Sequence, residues 1–276
     1  MAAEPAMGIQ REHLMGRDRR ALGVAFWTAS QRAVAERSGI AVSVLFYAIV
    51  ISVLSGVWRV AAAANGGAVV GYTAVALTWY IATSEATTLA LNARLIDEVG
   101  TDIASGAIAV ELLRPASVLW LRVASELGRA LPRLVVIAPV GAGLATLTAG
   151  GPPHPGALAL AAPSIALALA ANVVAQHAFA ASAFWVRSAG SAWFLYQKLV
   201  FVLGGMLIPL EVFPGWLETT ARLLPFRAMA YAPARLAAGH LEPWLLVEQL
   251  GWLAVVALLA TAVFRRGERH LQVVGG

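Results

Sequence analysis

The sequence predicts an all-α integral membrane protein: six transmembrane helices, an interfacial helix ahead of the first, and a re-entrant outer segment between helices five and six. Three observations carry this. Of 276 residues, 59% are hydrophobic and only 13% charged, about half the charged share of a soluble domain, and the mean hydropathy is +0.74. Six windows approach the ~20 apolar residues that a helix rising 1.5 Å per residue needs to cross a ~30 Å hydrocarbon core. The basic residues lie between those windows instead of gathering on one face.

Residues 1–38 form a polar N-terminal segment. Within it, Leu22, Phe26, Trp27, Ala33 and Val34 alternate with Gln31, Arg32, Glu36 and Arg37. That pattern fits a helix lying in the headgroup layer, with Trp27, Arg32, Glu36 and Arg37 at the interface, or an ordinary solvated helix. The transmembrane domain is predicted over 39–264. Its first span is Gly39–Trp58 and its second Val69–Asn92, separated by the Asn65-Gly66-Gly67 turn. Polar residues with Gly100 and Gly106 break any span across 94–115, while Ile96, Val99, Ile103, Ile108 and Leu112 recur at helical spacing. A short amphipathic helix is expected there, either docking on a partner or capping the bundle. The third span begins after Arg122 and ends near Ala149, its most apolar stretch being Leu134–Thr148, with Arg129 and Arg133 snorkelling. The fourth is Ala157–Val186 and the fifth Ala192–Leu210.

Residues 209–240 are too apolar for a solvated loop and too interrupted by Pro209, Pro214, Pro225 and Pro233 for a straight span. A re-entrant pair of short helices fits, forming either an outer gate with Phe213, Trp216 and Phe226 or a cap that steadies the bundle. The sixth span is Trp244–Phe264, followed by a tail over 265–276.

Orientation follows from the distribution of Lys and Arg. Six lie up to Arg37, five from Arg94 to Arg133, two at Arg187 and Lys198 and three in the tail; Arg59, Arg222, Arg227 and Arg235 alone fall on the other face. Both termini are therefore expected in the cytoplasm, and the absence of a short apolar region with a small-residue cleavage site predicts an uncleaved chain. The net charge of +5 is read as topology, with no nucleic-acid partner.

Several chemistries are excluded. The chain contains no cysteine, so disulfides, thiolate metal sites and cysteine nucleophiles are absent. The phosphate-binding pattern G-x-x-x-x-G-K-[ST] cannot form, because the only lysine, Lys198, stands in Y-Q-K-L. No H-E-x-x-H or G-x-S-x-G occurs, and the five histidines fall on different segments. No cofactor, metal or catalytic residue is expected in this chain. Polar residues inside spans are costly and mark candidate function. Glu85, Asn172, Gln176, His177 and Gln197 either line a translocation path or make interhelical hydrogen bonds.

Four stretches resemble the permease subunits of ABC type-2 exporters, in the branch grouped with antibiotic and daunorubicin-type export systems. They are I-A-S-G-A-I-A-V-E-L-L-R-P at 103–115, G-G-M-L-I-P-L-E-V-F-P-G-W-L at 204–217, L-P-F-R-A-M-A-Y-A-P-A-R-L-A-A-G at 224–239 and the V-V-G-G tail. The resemblance implies a permease in a bacterial cytoplasmic membrane, paired with a second copy or a paralogue. These would sit on a dimer of separate ATPase subunits that bind the ATP and Mg. It implies that 94–115 is the coupling segment, with Asp97, Glu98, Asp102, Glu111, Arg114 and Pro115 towards the ATPase. The cargo would be an amphipathic or hydrophobic compound such as a drug, antibiotic or lipid-like molecule. A stand-alone ion-coupled carrier or flippase, using Glu85 or His177, is the alternative; no internal inverted repeat of the kind common in such carriers is visible.

Overall fold

The computed structural model describes residues 4–35, 38–114, 116–186 and 188–274. Glu36, Arg37 and Pro115, named above, lie outside them.

Among the described residues the regular structure is helical apart from one two-stranded hairpin. Helix α1, Glu4–Ala35, is longer than the interfacial helix read from the sequence. Along 18–34, its small residues Ala29 and Ala33 are buried while Trp27 is 62% exposed and Arg32 is exposed. It packs along helix α6, Val118–Ala149. Gly128 of α6 permits the contact: a Cβ there would stand 2.2 Å from the carbonyl oxygen of Phe26.

Helix α2 is Ser38–Ala64. Its stripe of Val42, Leu45, Phe46, Ile49, Val53, Val57 and Val60 faces outward, as expected where the surrounding solvent is lipid. Tyr47 is on the inward face; its hydroxyl donates to the Ala82 carbonyl, and Gly141 of α6 leaves room for its ring. The chain then turns through Gly66 and Gly67, both with left-handed φ, into the hairpin of β1 (Ala68–Val69) and β2 (Tyr72–Thr73).

Helix α3, Ala74–Leu89, starts where the Thr73 hydroxyl accepts from the Ala76 amide, an N-cap. The second expected span, Val69–Asn92, is thus shortened: its first residues belong to the hairpin and its last to a turn. Residues 76–87 are buried on every side, so α3 is a central helix shielded by protein. In the turn after it, the Asn92 side-chain oxygen accepts from the Arg94 amide and its nitrogen donates to Glu98.

The single amphipathic helix expected at 94–115 is instead two. Helices α4, Leu95–Ala104, and α5, Ile108–Leu112, meet at Gly106, whose φ of 78° favours glycine. Helix α6 passes through Pro132 and Pro139 for 32 residues, well beyond the stretch that hydropathy alone marked. Helix α7 is Ala157–Ala180 with a 3-10 continuation to Phe184. Helix α8, Gly190–Leu203, has 14 residues, fewer than the fifth expected span, because the backbone leaves helical geometry at Gly204 and Gly205.

Four short pieces follow where a pair was expected: a 3-10 turn at Leu210–Val212, α9 (Gly215–Arg222), α10 (Phe226–Met229) and α11 (Tyr231–Ala237). The prolines explain the fragmentation, each removing an N–H donor. Helix α12, Trp244–Val274, closes the bundle. Among the described residues four helical stretches are long and apolar enough to cross a membrane: Val42–Ala64, Val118–Ala149, Ala157–Phe184 and Trp244–His270. The 16-residue α3 and 14-residue α8 fall short of that length.

Candidate functional site

The broken backbone after α8 creates the site, because carbonyls released from helices need donors wherever water is excluded. Tyr80 donates to the Gly205 carbonyl and Ser84 to that of Met206 at 2.6 Å. Where α10 gives way to α11, Asn172 donates to the Met229 carbonyl at 3.1 Å and Gln249 to that of Ala228 at 2.8 Å. Asn172 is 15 residues into α7, so the 209–240 segment reaches about 22 Å along that helix. This depth agrees with a segment that enters the bundle and returns.

The expected gate residues do not form one cluster. Phe226 is buried with Met229 in the main core, and Phe213 packs on the core around Tyr72 and Tyr80. Pro209 caps the 3-10 turn, whereas Pro214 and the 71%-exposed Trp216 are on the surface at the start of α9. Pro225 precedes α10.

What ties this segment down is a polar network that the sequence reading passed over. Arg235 of α11 donates to Glu242 at 2.6 Å, to Glu211 at 2.8 Å and to the Tyr72 hydroxyl at 2.6 Å. The Tyr231 hydroxyl donates to Glu211 as well, and Arg222 stands 3.4 Å from the same carboxylate. Arg227, buried between the rings of Tyr231 and Trp244, pairs with Glu248 at 3.0 Å. The signal was available: charged residues inside so apolar a stretch need partners. The Arg235 hydrogen bond pulls the Glu242 carboxyl below its usual range against the effect of burial. His240 is lowered first by burial and then by the Arg235 charge.

Two cavities involve the expected path and coupling residues. The first, about 240 Å³, lies between α3, α4, α7 and α8. Thr88, Asn172, Gln176 and Gln197 line it among Leu91, Ile96, Val200 and Phe201. Three of the five expected path residues meet there. Asn172 also holds backbone, and it accepts from the Tyr196 hydroxyl at 2.7 Å. Hydrogen bonding and cavity lining thus coexist on one side chain. His177 belongs to the second cavity, about 540 Å³, between α1, α4, α5 and α6. Glu85 lines neither; it is 3% exposed.

The α4–α5 hairpin is fixed by Arg122 on the second turn of α6. Its guanidinium donates twice to Glu111 at 2.8 Å and meets Asp102 at 2.8 Å. Asp102 and Glu111, expected to face a partner, are therefore engaged inside the chain, an outcome that depended on an arginine outside the 94–115 motif. Glu98 is partnered by Asn92. Asp97 is partly exposed, and Arg114 exposed. Gly100 sits against Ala189 at the start of α8, where a Cβ would lie 2.2 Å from the alanine Cβ. Beyond the staple, Val110 is 72% and Leu113 85% exposed.

A sequence model of the ABC-2 family transporter proteins matches residues 46–275. The chain belongs to that family. No curated protein matches it. Membership and the long apolar helices make the ABC-2 chain a multi-pass membrane permease, a type of subunit that in general works with an ATPase.

Proposed function

We propose that this ABC-2 chain is the permease half of an ATP-driven exporter in a bacterial cytoplasmic membrane, both termini on the cytoplasmic side. It moves an amphipathic or hydrophobic compound of the drug, antibiotic or lipid-like kind. A dimer of separate ATPase subunits, holding ATP and Mg, drives two permeases, identical or paralogous. The observation that carries this is the α4–α5 hairpin within a family match over 46–275. It is a stapled lever with an apolar tip of Val110 and Leu113 left without cover.

The lever is geared to the first cavity. Helix α4 contributes Ile96 to that cavity, and Gly100 seats α4 on Ala189, directly before α8. A push on the hairpin moves the α8 wall, since packed interfaces shift between discrete arrangements rather than deform continuously. The cavity's apolar walls accept a hydrophobic body, and Gln176 and Gln197 offer polar contacts to its other end. At the far end the Arg235–Glu211–Tyr72 network holds the re-entrant segment shut; opening requires its exchange for contacts with water or cargo.

The observation favouring an ion-coupled carrier is Glu85, a buried carboxyl in α3 for which, among the described residues, no hydrogen bond or ion pair is present. Gentle extraction of tagged protein, followed by transport measurements in vesicles, separates the readings. The proposal expects an ATPase to co-purify and transport to require ATP. Transport without ATP, driven by a proton gradient and lost in Glu85→Gln, overturns it.

A further inference from the structure

The second cavity is built for a charged guest and has no part in the cargo route described above. It measures about 540 Å³ and is walled by the interfacial helix α1 on one side and α4, α5 and α6 on the other. Its lining carries four arginines and four acids. Internal pairing accounts for most of them: Arg122 with Asp102 and Glu111, Arg129 with Glu126. Three charges remain. Among the described residues no acid pairs with Arg32 or Arg114, and Glu98 receives only the Asn92 amide.

Two buried nitrogens point to an occupant. His177 is fully buried; its Nδ1 is 2.8 Å from the Val173 carbonyl, which must accept, so Nδ1 carries the proton. Nε2, on the other edge of the ring, has no partner. In the neutral ring that nitrogen is a bare acceptor and asks for a donor. Arg129 Nε, a donor, is likewise unsatisfied. Buried polar atoms of this kind are rarely left empty-handed.

We infer that this cavity holds the headgroup of a phospholipid with a phosphate and a primary ammonium, of the phosphatidylethanolamine type. The phosphate takes Arg32 and Arg114, with Arg129 Nε within the same lining. The ammonium N–H groups supply Glu98 and the His177 Nε2 acceptor. The lipid source follows from position. Helix α1 presents Val24, Trp27 and Val34 outward, so its outer face suits the acyl–headgroup boundary. A headgroup seated there bridges α1 to the α4–α5 hairpin.

The test is native mass spectrometry on the full chain in detergent, titrated with phosphatidylethanolamine, phosphatidylcholine of matched chains, or soluble glycerophosphoethanolamine. Phosphatidylethanolamine is expected to bind best. Phosphatidylcholine, lacking N–H donors, binds more weakly, and the soluble headgroup more weakly still. Arg32→Ala with Arg114→Ala, exposed positions with which no acid pairs among the described residues, weakens phosphatidylethanolamine binding about tenfold or more. Glu98→Gln narrows the gap between the two lipids. The pair Arg265→Ala and Arg266→Ala, exposed on α12 outside the cavity, binds as wild type. Equal affinity for the two lipids, equal losses in both arginine pairs, or tight binding of the soluble headgroup each overturns the inference.

Discussion

Replacing Arg122 by Gln removes the cation that, among the described residues, ties α4 and α5 to α6. The wild-type guanidinium makes 2.8 Å contacts with both Asp102 and Glu111, and its side chain is 16% exposed while theirs are 43% and 33%. A fully buried pair broken on one side costs about 3–5 kcal/mol, and a fully exposed pair about 0–1 kcal/mol. With an enclosed cation and half-solvated acids, about 2 kcal/mol is expected for the hairpin. Since 1.4 kcal/mol is a factor of ten, amide protection across 95–112 should fall roughly 30-fold in hydrogen exchange. Protection in α12, with which Arg122 makes no hydrogen bond or ion pair among the described residues, should hold. On the transport reading, ATPase activity then continues while transport declines, because a loosened lever no longer carries the push. Unchanged exchange across 95–112 would refute the staple; faster exchange with full coupling would refute the lever.

Gly128→Ala should lift α1 from α6, since the new Cβ meets a backbone carbonyl that cannot turn aside. A loss of about 1–3 kcal/mol and faster proteolysis of α1 are expected, whereas Gly143→Ala, facing open space, should be neutral or better in the same assay. Asn172→Leu strands the Met229 carbonyl and removes one acceptor from the Tyr196 hydroxyl and should lower thermal stability by about 1–3 kcal/mol; Gln197→Leu should instead change cargo preference with little effect on melting. Acidification should destabilise the re-entrant segment. His240 and Glu242 are both shifted downward in the folded chain, so the unfolded chain binds more protons and stability falls with pH. The His240 share is complete above about 6.5 and the Glu242 share above about 4.5, each lost as pH drops through the lowered folded value. Melting curves from pH 8 to 4 should show this, with His240→Gln flattening the upper part and Glu242→Gln the lower.

The fold class was legible because hydropathy and helix length are set by the bilayer. The ends of α3 and α8 were less so. Hydropathy does not distinguish the hairpin at Ala68–Thr73 or the irregular Gly204–Gly205 turn from the apolar helix beside each, since apolar residues run through both. The polar residues inside spans were identified as a class, but their grouping depends on which helices neighbour one another. Asn172 and Gln197 meet in one cavity while His177, one turn from Val173 on the same helix, opens into another. The Arg122 staple and the Arg235 network join residues 7 to 163 positions apart. Their pairing is a property of the packed bundle, whereas the motifs that drew attention are contiguous.

In the proposed exporter the α4–α5 hairpin faces the compartment where ATP is hydrolysed. With no native cysteine, single substitutions report cleanly. Leu113→Cys should resist a membrane-impermeant maleimide in sealed cells, react after permeabilisation and cross-link to the ATPase, while Trp216→Cys labels from outside. Labelling of Leu113→Cys from outside intact cells would contradict it.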